Sequence, residues 1–321
     1  MTKEPMKFAE MLKDSPKNWG RWGADDELGC LNFLTNEEVL RGVKAVRQGK
    51  TFTLGIPLAR PQGDPLYPSR SQPIRTMVSD KGMYMSGRTQ ALPGGCEYAD
   101  DVIVMYLQGT TQYDALGHVW YGDKIYNGYD AKTTIGGLQK CSIEPIANKG
   151  VIGRGVLLDI ARAKGKKHLD ANEPIHLADI EAAAKKQNSP IEKHDILLIH
   201  TGWLKRYYDE GLAGFFPGGQ MQEPGLAYSK ELVQWIYEME IPSIGSDTIA
   251  TEQTWHHESG TMIPLHMALL YHLGVVFNEI SWTHDLAEDC AKDGQYTFLF
   301  VGLPLKVVNG AGSPVNPAAI K

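Results

Sequence analysis

The sequence predicts an α/β fold, a mixed β-sheet with flanking helices. Two observations carry this: apolar runs of strand length recur along the chain, and in its second half they alternate with segments of helical period. Taken in order, Thr35-x-x-Glu38 has the form of a capping box opening a helix over 35–46, and the β-branched content of 51–58 suits a strand. Residues 61–95, rich in Gly, Pro, Ser and Arg, read as long loops, with a lid as one use for them. The run VIVMYL at 102–107 is a continuous apolar strand that leads into a polar segment. Further on, strands are expected at 155–160, 195–200, 242–247, 274–277 and 296–301, with helices at 177–187, 230–239 and 266–272.

No repeat or long linker divides the 321 residues, so a single domain over 1–321 is expected. Its first 34 residues, with NWGRWGADDELGCLN at 18–32, form a Trp- and Gly-rich arm predicted to pack on the body or on a neighbouring subunit. With 42% apolar residues the chain can bury a substantial core. The formal net charge of -6 is spread along the chain and offers no basic stripe to a phosphate backbone, which argues against nucleic acid as a partner. Residues 1–18 lack the apolar core of a secretory signal, and the longest apolar stretches fall short of the roughly 20 residues that cross a bilayer. A cytoplasmic, non-membrane protein is the expectation. Cys30, Cys96, Cys141 and Cys290 are far apart and form no Cys-x-x-Cys pair, so reduced, structural thiols are expected.

Chemistry concentrates in Gln108-Gly-Thr-Thr-Gln112-Tyr-Asp114-Ala-Leu-Gly-His118. In an extended stretch alternate residues share a face, which would aim Gln108, Thr110, Gln112 and Asp114 into one pocket and Thr111 and Tyr113 away from it. His118 would return after a turn at Gly117. A carboxylate and an imidazole together can hold a divalent metal or activate water, one carrying charge and the other moving a proton near neutral pH. The plainer reading has the glutamines satisfying backbone groups at a buried strand end and Asp114 capping the turn. A second group, His256, His257, Glu258, His266, His272 and Glu279, spans 24 positions and could complete a metal site begun by Asp114. Within it His272, on a helix with Leu269 and Leu270, reads as a packing residue.

These residues resemble a known family. The segment is similar to the His-x-Gly-Thr-His-x-Asp-x-Pro-x-His motif of the cyclase family that includes bacterial kynurenine formamidases and isatin hydrolases. The opening NWGRWGADDELGCLN, Gly153-Arg-Gly-Val-Leu-Leu-Asp159, His200-Thr-Gly-Trp203, Pro264-Leu-His266 with Glu279, and Gly312-Ser-Pro-Val-Asn-Pro317 resemble its longer members, so the similarity spans nearly the whole chain. It implies a swivelling β/β/α (cyclase-like) fold and a homodimer or homotetramer. It also implies a zinc or manganese site in which Asp114 is a ligand, His118 the acid/base, and His266 and Glu279 further ligands. Two departures stand out: Gln108 and Gln112 occupy the places of two metal-binding histidines, and Leu116 that of proline. An amide oxygen is a weak, hard ligand, so zinc affinity should fall and manganese gain. A single metal held by Asp114 with His118, His266, Gln112 or Glu279 is then expected over a dinuclear centre. The metal-free alternative has His118 activating water while Gln108 and Gln112 orient the substrate carbonyl.

The expected function is hydrolysis of a C–N or C–O acyl bond in a small cyclic or aromatic amide, imide or lactone, with Asp114, His118, Gln108 and Gln112 as catalytic residues. Tyr113, Trp120 and Tyr121 are candidates for a flat wall against the substrate, with a core role as the alternative. Two rival functions are a lyase or isomerase acting next to a carbonyl, and a non-catalytic small-molecule binder derived from a metal hydrolase.

Overall fold

The computed structural model describes residues 4–321. Nine strands form one sheet: β1 (Thr51–Thr53), β2 (Gln112–Asp114), β3 (Val151–Asp159), β4 (Ile196–His200), β5 (Ser243–Ser246), β6 (Val276–Glu279), β7 (Thr297–Gly302), β8 (Gly312–Pro314) and β9 (Ala318–Ile320). They lie in the order β1-β9-β7-β3-β4-β5-β6-β2-β8. The central four, β3 to β6, are parallel, and antiparallel strands extend the sheet on both sides. β3 and β4 are buried nearly throughout, which is why they read as unbroken apolar runs: strands covered on both faces have no polar side to show. β7 instead alternates, burying Phe298, Phe300 and Gly302 and leaving Thr297, Leu299 and Val301 half-buried.

The helices that flank this sheet include α1 (Asn36–Lys44), α2 (Leu177–Lys186), α3 (Trp203–Phe215), α4 (Lys230–Glu238) and α5 (His284–Asp293). α1 packs against β3 and β7. The approach is close because Gly42 of α1 faces Gly153 of β3; a Cβ at Gly42 would come within 2.6 Å of the Gly153 carbonyl carbon. Residues 266–273 form a π-helix that precedes β6. Among the described residues no helix is long and apolar enough to cross a membrane.

The mixed sheet with flanking helices is the architecture the sequence predicts, but local expectations need correction. The apolar run at 102–107 is not a buried strand of the sheet. It overlaps a strand at Asp100–Val104 that pairs, among the described residues, only with Ile74–Ser79, and both strands are exposed. Residues 61–95 accordingly hold a strand and a short helix, Lys81–Met85, and not loops alone. The strand expected over 51–58 stops at Thr53. The capping box does not form: the Thr35 hydroxyl donates to Glu37, and Glu38 pairs with Arg41. Strands β8 and β9 lie in a C-terminal stretch that carried no strand signal. They are three-residue pieces stabilised by their neighbours and not by their own pattern.

The described part of the N-terminal arm lies on the body of its own chain. The Trp19 indole N–H donates to the Tyr271 carbonyl, the Asn18 amide to the Leu273 carbonyl, and Tyr126 Oη to Asp26. Cys30, Cys141 and Cys290 are buried free thiols, and Cys96 is an exposed one.

Candidate active site

Glu279 ends β6 and pairs in register with Gln112 of the antiparallel strand β2. Strand alternation turns Gln112 and Asp114 to one face and Tyr113 to the other. After Asp114 the chain doubles back, with the His118 N–H donating to the Ala115 carbonyl, and this brings His118 Nε2 to 4.0 Å from Asp114 Oδ1. His266 starts the π-helix, a helical form that recurs at functional sites. Its Nε2 lies 3.9 Å from Asp114 Oδ2 and 3.6 Å from Glu279 Oε1.

The His266 ring is oriented from behind. Glu252 accepts from the backbone N–H groups of Leu265 and His266 at 2.6 and 2.7 Å, and it lies 2.7 Å from His266 Nδ1. With Glu252 accepting there, Nδ1 carries the proton and Nε2 presents its lone pair to the carboxylates. Asp114, His266 and Glu279 thus each offer an atom, all within 4.8 Å of one another. Gln112 Nε2 donates to Glu279 Oε2 at 2.8 Å.

This donor set fits a divalent cation. Asp114 Oδ1 and Glu279 Oε1 are buried oxygens without a hydrogen-bond partner, as is Gln112 Oε1 behind them, and a cation bound between Asp114 and Glu279 relieves the first two. Burial, together with the neighbouring Asp114 charge, pushes the Glu279 carboxyl well above the usual carboxylate range. One imidazole and two or three hard oxygens suit manganese or zinc.

A cavity of about 210 Å³ opens onto these groups, lined also by His118 and Arg70 and by the apolar side chains of Val119, Met221, Ile249, Met262 and Ile263. Burial holds the His118 imidazole below its ordinary range, opposed by the Asp114 charge, with His266 and Arg70 adding to the lowering. Its neutral form, able to take a proton, is therefore favoured. Arg70 is anchored by donating to the Gln108 carbonyl at 2.7 Å.

Of the residues singled out from sequence, Asp114, His118, His266 and Glu279 line this cavity, and Gln112 stands behind Glu279. Others are elsewhere. Gln108 sits in a turn, beyond the reach of the strand alternation, with its amide against Gly312. Tyr113 is fully buried on the opposite face, over Gly302. Trp120 is 40% exposed and outside the cavity wall. Tyr121 bonds through its hydroxyl to His272 Nε2 at 2.7 Å and packs on Tyr271, which makes it a packing residue together with His272. His256 contacts Ser259, His257 contacts Asn172, and Glu258 is exposed, so none of the three joins Asp114. Glu252 and Arg70 were missed. The polar stretch Ser246 to Gln253 after an apolar strand was a signal for Glu252, whereas nothing in the sequence marks Arg70 among the arginines of its loop-rich segment.

A family model described as "Putative cyclase" matches residues 52–253. The chain belongs to the cyclase family. A solved structure described as a novel cyclase is 37% identical, with 95% of this chain and all of that one covered, at a TM-score of 0.85. The nine-stranded mixed sheet with its helices is thus the cyclase-like fold. Isatin hydrolase A from Labrenzia aggregata, at 20% identity, shares the fold over 86% of this chain and 94% of its own with a TM-score of 0.58. A predicted metal-dependent hydrolase from Bacillus stearothermophilus, at 16% identity, does so over 84% and 97% with a TM-score of 0.51. No curated protein sequence matches the chain.

Proposed function

We propose that this cyclase-family chain is a metal-dependent hydrolase that opens a C–N or C–O acyl bond in a small cyclic or aromatic amide, imide or lactone. The observation that carries the reading is the convergence of Asp114, His266 and Glu279 with His118 on one small, largely apolar cavity. The fold shared with isatin hydrolases and with a protein described as a metal-dependent hydrolase supports it.

Asp114, His266 and Glu279 would hold the cation, with Gln112 fixing Glu279 and Glu252 fixing His266. Such a cation supplies Lewis acidity, polarising the scissile carbonyl and lowering the pKa of water. His118, neutral and beside Asp114, takes the proton of the attacking water and returns it to the leaving nitrogen or oxygen. Arg70 faces the same space and offers a fixed positive charge to the carboxylate that hydrolysis releases. The apolar walls exclude water and match a flat ring, and the small volume restricts the substrate to one ring system.

The test is elemental analysis of protein purified without chelators, joined to turnover of aryl formamides, isatins and lactones in ¹⁸O-labelled water. Stoichiometric manganese or zinc, chelator-sensitive turnover and label in the product are expected. Asp114→Asn, which removes charge with little change of shape, should keep the fold and lose most of the metal and activity. A folded, fully active Asp114→Asn protein would overturn the assignment; turnover without label would indicate a lyase or isomerase.

A further inference from the structure

The cavity around Asp114 is not the only concave space near the parallel strands. A second cavity, of about 620 Å³, opens where β3 ends in Asp159 and β4 ends in His200, and it shares no lining residue with the first. In open α/β sheets, the space beyond the carboxyl ends of parallel strands is where ligands collect.

The lining is charged and rich in imidazole. Arg162, Lys166, Lys167, Lys205 and Arg206 face Asp159, Asp209, Glu210 and Glu288, and three histidines, His168, His200 and His284, join them. Most of these charges are already matched: Arg162 pairs with Asp159 and Glu288, Lys205 with Asp209, Arg206 with Glu210, and Lys166 with Asp170 and Glu173 outside the cavity. Lys167 has no ion-pair partner among the described residues, and none of the three histidines lies within hydrogen-bond distance of a carboxylate there. The lining cation left over for a ligand is Lys167.

The floor of the cavity is built and not incidental. His200 is only 5% exposed, and its ring is fixed by Nδ1, 2.8 Å from the Thr283 hydroxyl and 3.6 Å from Asp247. Nε2, which makes no hydrogen bond among the described residues, is left for the cavity. The His284 ring lies 6.1 Å away, centroid to centroid. Two helices begin here: α3 after Gly202, where the Thr201 hydroxyl accepts from the Trp203 N–H at 3.1 Å, and α5 with His284, which has no side-chain N-cap. The first N–H groups of α5 add partial positive charge at the floor. Gly202 makes the arrangement possible: its φ is +76°, and a Cβ would come within 2.4 Å of the Lys167 carbonyl oxygen. Only glycine lets the 165–168 loop lie across the start of α3 and bring Lys167 and His168 to the rim.

We propose that this cavity is a second ligand site, which takes the oxyanion of a small molecule, a phosphate or a carboxylate, between His200, His284, Lys167 and the start of α5. His200-Thr-Gly-Trp203 is then the sequence signature of that site: an imidazole at the floor and a glycine that admits the covering loop.

The experiment uses the full chain and inorganic phosphate, followed by calorimetry and by the imidazole resonances of the protein. Saturable one-to-one binding that shifts the His200 and His284 signals is expected. His284→Gln, at a half-buried position where folding is safe, should weaken it about tenfold or more, as for loss of a hydrogen bond to a charged group. Lys167→Ala, at an exposed position, should weaken it by about threefold, within the range of exposed ion pairs. Asp114→Asn, in the other cavity, should leave it unchanged. Repeating the titration with succinate separates the two sources: succinate binding that is lost in His284→Gln marks a carboxylate ligand, and phosphate binding alone marks a phosphorylated one. No saturable binding of either anion, binding indifferent to both His284→Gln and Lys167→Ala, or binding lost in Asp114→Asn would overturn the proposal.

Discussion

Gln112 and Glu279 face each other across the β2–β6 pair, and the Gln112 amide donates to Glu279 Oε2 at 2.8 Å. An amide therefore holds a ligand carboxylate in place, and its own Oε1 is left buried and without a donor. Gln108, the other glutamine of the segment, rests against Gly312 outside the cavity. Replacing Gln112 by His should accordingly raise zinc affinity by about tenfold or more, ~1.4 kcal/mol, while Gln108→His alone leaves it unchanged. Competition against a chromophoric chelator reads both. Equal gains from the two variants would mean that Gln108 reaches the cation.

Glu252 acts through His266. By accepting at Nδ1 it selects the tautomer that presents Nε2 to Asp114 and Glu279, and it also holds the first N–H groups of the π-helix. Outer partners of this kind are worth about 10- to 100-fold in metal affinity. Glu252→Gln should show that loss with a native circular dichroism spectrum. Metal affinity equal to that of the parent would remove Glu252 from the site.

His118 stands apart from the three clustered donors, 4.0 Å from Asp114. If its work is proton transfer, His118→Ala should reduce kcat by about 10²- to 10⁴-fold and leave the metal content of the purified protein intact. Loss of metal from this variant would make His118 a ligand instead.

How far the site could be read from sequence depended on how local its parts are. Asp114 and His118 are four residues apart in one dense polar segment, and the apolar runs of β3 and β4 announce strands buried on both faces. His266 and Glu279 stand out in a second His- and Glu-rich cluster and through family resemblance; only the fold brings them to Asp114. The same period-two reasoning failed at Gln108, because the extended backbone starts at Gln112 and a turn precedes it. Aromatic content misled as well, since Tyr113 and Tyr121 lie near Asp114 in sequence yet bury their rings elsewhere. The hairpin of Ile74–Ser79 and Asp100–Val104 was hidden because apolar content there does not mean burial.

His272 is buried among Trp19, Tyr121 and Tyr271, and burial, with Lys17 adding like charge, lowers its pKa from 6.5 to about 3. The folded protein keeps this imidazole neutral where the unfolded chain protonates it. Its contribution to stability is thus whole above pH 6.5 and is lost as the pH falls towards 3, by up to roughly 5 kcal/mol. His272→Gln, which can still bond the Tyr121 hydroxyl, should show a shallower decline of the urea midpoint over that range. An identical pH slope in parent and variant would mean that His272 titrates normally.

Glu223 has the opposite sign. It is fully buried, accepts from the Ile249 N–H at 2.8 Å, and has no partner for Oε1. Burial above all, with the Asp247 charge adding, raises its pKa from 4.5 to about 8. Between those values the folded state holds a proton that the unfolded chain has released, so its stabilising effect is full below pH 4.5 and drains away as the pH rises through 8. The accumulated loss is of order 5 kcal/mol. Glu223→Gln mimics the protonated carboxyl at every pH and can still accept from Ile249. The variant should match the parent near pH 4.5 and exceed it increasingly up to pH 9, measured as the difference between their urea midpoints. Because Ile249 lines the cavity around Asp114, the parent should also lose order there at alkaline pH, visible as faster amide exchange at 247–252 that the variant does not show. Parallel stability curves for the two proteins would place the Glu223 proton, and the strain it relieves, elsewhere.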